Sequence, residues 1–168
     1  MTNFIGEFEC KLDAKSRITL PTGLAKQLPP EAQGRFVINR GFERHLYLYP
    51  INEWESIRTE VDRLNTYNEK HRRFMRYFYR GASELKLDGN NRLLLSKRLL
   101  AYAHIDSDIT LFAHGNKIEV WASHLYNELL TDEPEDFADL AEEVLGNTKA
   151  ERESSLIMQI DRDRFRDH

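Results

Sequence analysis

Apolar and polar residues alternate along two stretches of this chain, and the two stretches are related in sequence. Residues 6–20 (GEFECKLDAKSRITL) and residues 81–95 (GASELKLDGNNRLLL) are identical at seven of fifteen positions without a gap. Each stretch predicts two half-buried strands joined by a tight turn, and the repetition predicts one small fold that was duplicated and packed on itself. The predicted apolar faces are Cys10, Leu12, Ile18 and Leu20 in the first copy, and Leu85, Leu87, Leu93 and Leu95 in the second.

Both copies contain an Asp-x-x-x-Arg motif, Asp13 with Arg17 and Asp88 with Arg92. The second copy has DGNN at the turn, which is typical turn chemistry, because Gly and Asn accept a positive φ and Asp bonds the backbone that follows it. The first copy has DAKS, a weaker version of the same turn. We expect each aspartate to open its turn and each arginine to begin the next strand at the rim of the sheet.

The remaining elements are predicted in the same order in both copies: strand, turn, strand, helix, strand, turn, strand, helix. Pro21 and Ser96 mark the start of the first helix of each copy. Asn52, with Glu55 three residues later, has the spacing of a capping box, and Ser123 caps the equivalent helix. Runs of aromatic and β-branched residues predict inner strands at 36–38, 46–49, 109–112 and 118–121, and the short helices are predicted at 22–28 and 96–102.

Residues 69–80 (EKHRRFMRYFYR) connect the two copies and combine arginines with aromatic residues. Helical spacing places Phe74 with Phe78 on one face and Arg72 with Arg76 near another. One interpretation is an amphipathic connecting helix that packs its aromatic side chains in the core. The other is a nucleic-acid surface, since basic residues meet phosphates. The arginines fit phosphate contact and ion pairing with a neighbouring subunit equally.

The acidic residues are concentrated at the C-terminal end. The 168 residues carry a formal net charge of −4. Residues 1–128 hold 19 Lys and Arg against 16 Asp and Glu, a net +3, whereas residues 129–168 hold 5 against 12, a net −7. The duplicated body is therefore compatible with nucleic-acid binding. Residues 134–145 predict a helix that ends at Gly146, followed by a charged segment that is either mobile or docks a partner.

No sequence feature predicts a membrane span, a secretion signal, a metal site or a cofactor. Apolar runs stay below the roughly 18 residues of a membrane span, and the N-terminal residues do not resemble a signal peptide. Cys10 is the single cysteine, which fits a reducing cytoplasm, and its apolar face favours a packing role. Asp13 and Asp88 each accompany an arginine, which favours structural turns over paired catalytic carboxylates. We therefore predict no enzyme activity.

These residues resemble the MraZ family, bacterial transcriptional regulators built from two SpoVT-AbrB-type domains. The resemblance covers residues 3–130, and the duplicated Asp-x-x-x-Arg motif is its most specific feature. The family usually has Gly before the motif arginine, where this chain has Ser16 and Asn91, and Pro after the second motif strand, where it has Ser96. The other matching segments are residues 6–7, 46–50 (LYLYP), 54, 72–76 (RRFMR), 81–82 and 118–121 (IEVW).

The resemblance implies an α+β fold of two tandem SpoVT-AbrB-like swapped-hairpin β-barrel halves, which form an intramolecular pseudo-dimer with flanking helices. It implies a first domain at 6–53, connecting helices at 54–80, a second domain at 81–126, and an acidic C-terminal helix with a mobile tail at 127–168. It also implies a homo-oligomeric ring, for which an octamer is one option.

The resemblance further implies a cytoplasmic, nucleoid-associated regulator that binds tandem repeats in double-stranded promoter DNA. It would act, usually as a repressor, on the division and cell-wall gene cluster, with no small-molecule substrate. Asp13 and Asp88 would orient the turns, and an ion pair between each aspartate and its arginine does not exclude DNA contact. The implied DNA-binding residues are Arg17 and Lys15, with Arg92 and Asn90 as weaker equivalents in the second copy.

Two other functions fit the same sequence. An AbrB-type antitoxin shares this small fold and would bind its toxin through the tail, although antitoxins usually carry one copy of the domain rather than two. A structural ring protein would assemble without touching DNA. Binding to promoter DNA separates the first interpretation from the last.

Overall fold

A computed structural model describes residues 2–131 and 137–166, and the chain divides into two compact units, residues 1–128 and 129–168. The strands are β1 (Phe4–Lys11), β2 (Arg17–Thr19), β3 (Arg35–Arg40), β4 (Leu46–Pro50), β5 (Ser83–Lys86), β6 (Arg92–Leu94), β7 (Asp108–Gly115) and β8 (Lys117–Ala122). The α-helices are α1 (Thr22–Ala25), α2 (Ile51–Asp62), α3 (Glu69–Tyr79), α4 (Lys97–Tyr102), α5 (Ser123–Thr131) and α6 (Phe137–Arg166). The predicted order of strands and helices is confirmed in both copies.

The two copies are joined by exchanged strands. Strand β1 of the first copy pairs antiparallel with β7 of the second, and β5 of the second copy pairs antiparallel with β3 of the first. The six-stranded sheet has the order β1-β7-β8-β4-β3-β5, and β2 and β6 form a two-stranded sheet of their own. Each sheet therefore contains strands of both copies, which confirms the α+β fold of two interlocked halves.

The strand pairing follows an internal two-fold symmetry. Ile18 lies opposite Leu93, its own counterpart in the repeat, at the centre of the two-stranded sheet. Tyr47 lies opposite Glu119, which holds the equivalent position in β8, at the centre of the six-stranded sheet. The two motif turns are therefore placed symmetrically, one at each end of the two-stranded sheet.

The main core combines the inward side chains of both sheets with those of α1 and α4. Ile18, Leu20, Leu93 and Leu95 are buried, as the alternation predicts. Cys10 is partly buried against the same core, and burial raises the pKa of its thiol to about 11. The thiol therefore stays protonated at neutral pH and fills space, since the thiolate is the nucleophilic form.

A second hydrophobic cluster forms around Trp54 of α2 and includes two aromatic residues of the connecting segment, Phe78 and Tyr79. The Phe78 ring stacks on the Trp54 indole (5.8 Å between ring centroids), and Tyr79 meets it edge-on (6.0 Å). The helical prediction for this segment is confirmed by α3. The packing interpretation holds for Phe78 and Tyr79, whereas Tyr77 and Phe74 leave 60% and 41% of their surfaces exposed.

Of the predicted helix starts, those at Pro21 and Ser96 are confirmed, whereas the cap at Asn52 is wrong. Helix α2 begins at Ile51 directly after Pro50, so Asn52 lies inside the first turn and forms no capping box with Glu55. The reason is that β4 runs straight into the helix at a proline, which leaves no loop in which a capping side chain can sit. Ser96 does precede α4, but its side chain makes no cap hydrogen bond. The Ser123 hydroxyl instead shares a hydrogen bond with Thr110 (2.9 Å).

The predicted end of the C-terminal helix at Gly146 is also wrong, because α6 continues to Arg166. A glycine inside an exposed helix costs only about 1 kcal/mol relative to alanine, and among the described residues a β-carbon at Gly146 would meet no heavy atom within 4 Å. One glycine therefore does not end this helix. The predicted start at Pro134 lies outside the described residues. Across the described ranges no helix is long and apolar enough to cross a membrane.

His45 is a buried polar residue in the turn between β3 and β4. Its ring is 2% exposed, stacks on Trp121 (4.3 Å between centroids) and meets Tyr47 edge-on (4.7 Å). Its Nε2 lies 3.7 Å from Oε1 of Glu119, and neither ring nitrogen has a hydrogen-bond partner among the residues the structure describes. Burial, together with the charge of Lys117, lowers the pKa of His45 to about 4.

This buried imidazole predicts an acid-sensitive fold. The unfolded chain protonates His45 near the ordinary pKa of 6.5, whereas the folded chain resists protonation until about pH 4. Stability is therefore complete above pH 6.5 and is lost as the pH falls, by about 2 kcal/mol between pH 7 and 5. Urea denaturation at both pH values checks this. The fall in the free energy of unfolding between pH 7 and 5 should be smaller in His45→Leu and unchanged in the exposed control His124→Leu. An equal fall in both variants would show that His45 is not the source of the acid sensitivity.

Candidate nucleic-acid interface

The first motif turn is built around the carboxylate of Asp13. Its Oδ1 accepts hydrogen bonds from the backbone amides of Lys15 and Arg17 (both 2.9 Å), and its Oδ2 accepts one from the Nε of Arg17 (2.8 Å). An aspartate that bonds the backbone two residues later is the normal chemistry of such a turn. The backbone bond from Arg17, followed by its side-chain bond and charge, lowers the pKa of Asp13 below its ordinary value. The carboxylate therefore stays ionised at neutral pH.

The second motif turn repeats these bonds. Oδ1 of Asp88 accepts from the amides of Asn90 (2.9 Å) and Arg92 (3.0 Å), and Oδ2 accepts from the Nε of Arg92 (2.8 Å). Loss of solvent tends to raise the pKa of Asp88, but the hydrogen bonds from Arg92 and Asn90 outweigh it and hold the pKa below its ordinary value. DAKS and DGNN thus form the same turn, although the sequence ranked the first as weaker.

Each turn passes through a residue in the left-handed region just before its arginine. Ser16 has φ 63° and Asn91 has φ 57°. Both residues also hold the turns to the opposite strand, because the Ser16 carbonyl accepts from the amide of Leu95 (2.8 Å) and the Asn91 carbonyl from the amide of Leu20 (2.9 Å). These are the positions where the family usually has glycine, and the left-handed φ is the physical reason.

Replacing Ser16 with glycine is expected to raise the free energy of unfolding by about 0.5–1 kcal/mol. A left-handed conformation costs an L-residue about 1–2 kcal/mol, and the greater unfolded-state entropy of glycine offsets part of the gain. Asn91→Gly should gain less, since Asn tolerates this region. Urea denaturation measures both variants against the control Ala14→Gly, which should not be stabilised. A Ser16→Gly variant less stable than the parent would argue against strain at this turn.

The Asp–Arg bonds fix one edge of each guanidinium and leave the other edge open. Nε of Arg17 and Nε of Arg92 bind the aspartates, and across the described residues the terminal Nη groups of both arginines make no hydrogen bond. The side chains retain 25% and 29% of their exposure. Each arginine therefore presents two oriented N–H groups to an acceptor that approaches from solvent.

The two-stranded sheet places both arginines on one outward face, hereafter the ribbon face, formed by Arg17, Thr19, Arg92 and Leu94. Ile18 and Leu93 between them point inward and are completely buried. In the antiparallel register Arg17 lies opposite Leu94 and Arg92 opposite Thr19, so the two arginines are diagonal neighbours about 7–8 Å apart. A two-stranded ribbon of this kind fits the major groove of B-DNA.

Of the residues predicted as sites, Lys15 and Asn90 lie exposed at the two turns, next to the ribbon face. Asp13 and Asp88 lie behind the arginines that they hold. The sequence interpretation did not single out Thr19 and Leu94, because it followed the buried half of each alternating strand. The same alternation also predicts which side chains face outward. It places residues 92 and 94 on the same outward face, so the sequence already indicated that Leu94 lies beside Arg92.

The geometry defines a class of protein: a duplicated α+β chain with exchanged strands that presents two Asp-anchored arginines on one ribbon. A family model described as "MraZ protein, putative antitoxin-like" matches residues 3–77 and 78–148. The two matched segments together cover most of the chain and follow the internal repeat. The chain belongs to the MraZ family.

Relatives from three bacteria carry the name "Transcriptional regulator MraZ". The chain is 42% identical over 148 residues to the protein of Cytophaga hutchinsonii, which covers 88% of this chain and 98% of the relative. It is 43% identical to the protein of Christiangramia forsetii (88% and 96%) and 40% identical to that of Flavobacterium psychrophilum (88% and 94%), each over 148 residues.

Proposed function

We propose that this chain is a transcriptional regulator that binds promoter DNA in a sequence-specific manner and acts as a repressor of the division and cell-wall gene cluster. The observation that carries the proposal is the ribbon face, where two arginines whose Nη groups make no hydrogen bond within the described residues are diagonal neighbours. The names of the relatives support the regulatory role. A cytoplasmic, nucleoid-associated location follows from this function.

The chemistry of the ribbon face suits base recognition. Paired N–H donors of an arginine match the O6 and N7 acceptors of guanine, and each such contact contributes about 1–3 kcal/mol of discrimination. Arg17 is proposed to make this contact, with Lys15 beside it for a phosphate, and Arg92 and Asn90 form the second, weaker set. Asp13 and Asp88 act through the arginines by fixing their Nε edges.

Assembly into a homo-oligomeric ring is proposed to supply the remaining affinity. One or two base contacts bind weakly, but several subunits on tandem sites bind cooperatively through effective concentration. The net +3 of residues 1–128 favours the approach to DNA, and we propose the four segments 6–53, 54–80, 81–126 and 127–168 as the domains of each subunit. The arginines of α3 are proposed to contact either phosphates or neighbouring subunits, although Nη1 of Arg72 already donates a hydrogen bond to the Thr66 carbonyl (2.9 Å).

Direct binding tests the proposal. The full chain is titrated into a labelled duplex from the region upstream of its own gene cluster, and fluorescence anisotropy is compared with a duplex of the same composition in shuffled order. We expect tighter binding to the first duplex and a linear fall of log K with log salt. Light scattering with and without DNA measures the number of subunits. Equal affinity for both duplexes would reject sequence-specific recognition, and no binding to either would favour a structural ring.

An antitoxin is the second candidate, and the description of the matching family favours it. Helix α6 offers a surface for a partner, because its apolar side chains at Leu156, Ile157, Met158 and Ile160 are all more than 60% exposed. The candidate predicts a small protein that co-purifies with the full chain from its native host in a fixed ratio. Its absence at native expression levels would reject this candidate.

A further inference from the structure

We propose that Leu94 reads the C5 methyl group of a thymine next to the base pair that Arg17 contacts, and so determines part of the DNA sequence preference. The inference rests on the proposed function, which it extends from the arginines to an apolar residue. Leu94 is 60% exposed on the ribbon face, although its neighbours Leu93 and Leu95 are at most 2% exposed. It does not contribute to the core, and its side chain is free to meet a ligand.

The register of the ribbon places Leu94 next to the open guanidinium. Arg17 and Leu94 are directly opposite each other in the antiparallel pair, so their Cβ atoms are about 4.5–5.5 Å apart. Neighbouring base pairs of B-DNA are about 3.4 Å apart along the axis, a spacing that the flexible side chains of Arg17 and Leu94 can match from these Cβ positions. When the Nη groups of Arg17 engage a guanine, the Leu94 methyl groups therefore meet the adjacent step, where thymine alone offers a methyl group in the major groove.

A shallow cavity of about 400 Å³ beside Leu94 supports the same occupant. Its lining combines three leucines (Leu85, Leu94 and Leu95) with two lysines (Lys15 and Lys97) and two serines (Ser16 and Ser96). Apolar side chains together with cations match the edge of a duplex, which offers base methyl groups in the groove and phosphates on either side. Lys15 comes from the first copy and Lys97 from the second, so the cavity depends on the exchange of strands.

The other end of the ribbon lacks this combination. The repeat places Thr19 at the position of Leu94, Asn90 at that of Lys15, and Thr22 at that of Lys97. The second end thus has no lysine at these positions and a smaller outward side chain. The backbone of the ribbon is symmetric, but its side chains differ between the two ends. Methyl recognition is therefore assigned to the Arg17 end, which has the leucine and the two lysines.

The test replaces thymine with deoxyuridine, which removes the methyl group and leaves every hydrogen-bonding atom in place. The wild-type chain first selects a preferred duplex from a random-sequence library, and each thymine of that duplex is then exchanged singly. We expect one thymine per site, next to a guanine, at which the exchange weakens binding about 3- to 5-fold, since a buried methyl group is worth about this much. The Leu94→Ala variant should bind thymine and deoxyuridine duplexes equally at that position.

Ile5→Ala provides the matched control. Ile5 is also an exposed apolar strand residue, 77% exposed against 60% for Leu94, and it lies near the opposite end of β1 from the first turn. Its variant should retain the full thymine preference. If no thymine is sensitive in the wild type, or if the sensitivity survives in Leu94→Ala, the inference is overturned while the proposed function stands. If the wild type selects no duplex at all, the proposed function fails and the inference fails with it.

Discussion

Replacing Arg17 with alanine is expected to weaken binding to the preferred duplex by about fivefold or more, without unfolding the protein. A lost arginine–guanine contact costs about 1–3 kcal/mol, and 1.4 kcal/mol corresponds to a factor of ten. The loss is expected to grow when several subunits bind together, since each subunit loses the same contact. Arg17→Lys should not restore the affinity, because an ammonium group offers no planar pair of donors for O6 and N7.

The fold should survive this change because the turn depends on the backbone bonds to Asp13 more than on the guanidinium. Oδ1 of Asp13 keeps both of its backbone donors when the side chain of Arg17 is removed. The ion pair is partly exposed, and pairs of this kind contribute about 0–1 kcal/mol to stability. Circular dichroism and the midpoint of urea denaturation check the fold alongside fluorescence anisotropy.

Two controls separate base recognition from general charge. Arg63→Ala removes the same charge from an exposed residue after α2, and it should change affinity only slightly and equally for preferred and shuffled duplexes. Arg92→Ala should weaken binding less than Arg17→Ala, since it has Asn90 rather than Lys15 as its neighbour. If Arg17→Ala and Arg63→Ala weaken binding equally, or if neither does, Arg17 has no part in recognition.

The sequence predicted those features that depend on local periodicity. The repeat and the alternation located both motif turns and all the inner strands, because side chains in a strand alternate between core and solvent. The sequence was a less reliable guide to where helices begin and end, because these positions depend on the neighbouring elements and on the energy of the whole helix. Asn52 resembles a helix cap, but β4 enters α2 through Pro50 without a loop. Gly146 resembles a helix end, but a single exposed glycine costs too little to end α6.

The sequence predicted which residues form the candidate site, but not which of their atoms are bonded and which are open to a ligand. The spacing of Asp13 and Arg17 indicated an ion pair, yet only the geometry identifies Nε as the bonded atom and the Nη groups as free. Leu94 was missed because its neighbours define the core and an exposed leucine is common on protein surfaces. Its significance comes from the cross-strand register with Arg17, which joins residues 77 positions apart and depends on the exchange of strands between the copies.

The exchange of strands between the copies leads to a second prediction. Leu93→Ala should lower the free energy of unfolding by about 2–5 kcal/mol. Leu93 is completely buried and pairs with Ile18 at the internal two-fold axis, where side chains of both copies meet. Removing its methyl groups leaves a cavity in the shared core. Leu94→Ala, one residue along the same strand but exposed, is the matched control and should change stability by less than about 0.5 kcal/mol.

The destabilisation should appear in both copies together, because β3 of the first copy and β7 of the second each pair with a strand of the other copy. Hydrogen exchange followed by mass spectrometry, at fixed protein concentration, measures the opening free energy of peptides from β3 and from β7. We expect both values to fall by the same amount in Leu93→Ala. If the β7 peptides lose protection while the β3 peptides keep theirs, the halves open independently, and the interlocked sheets do not act as one cooperative unit.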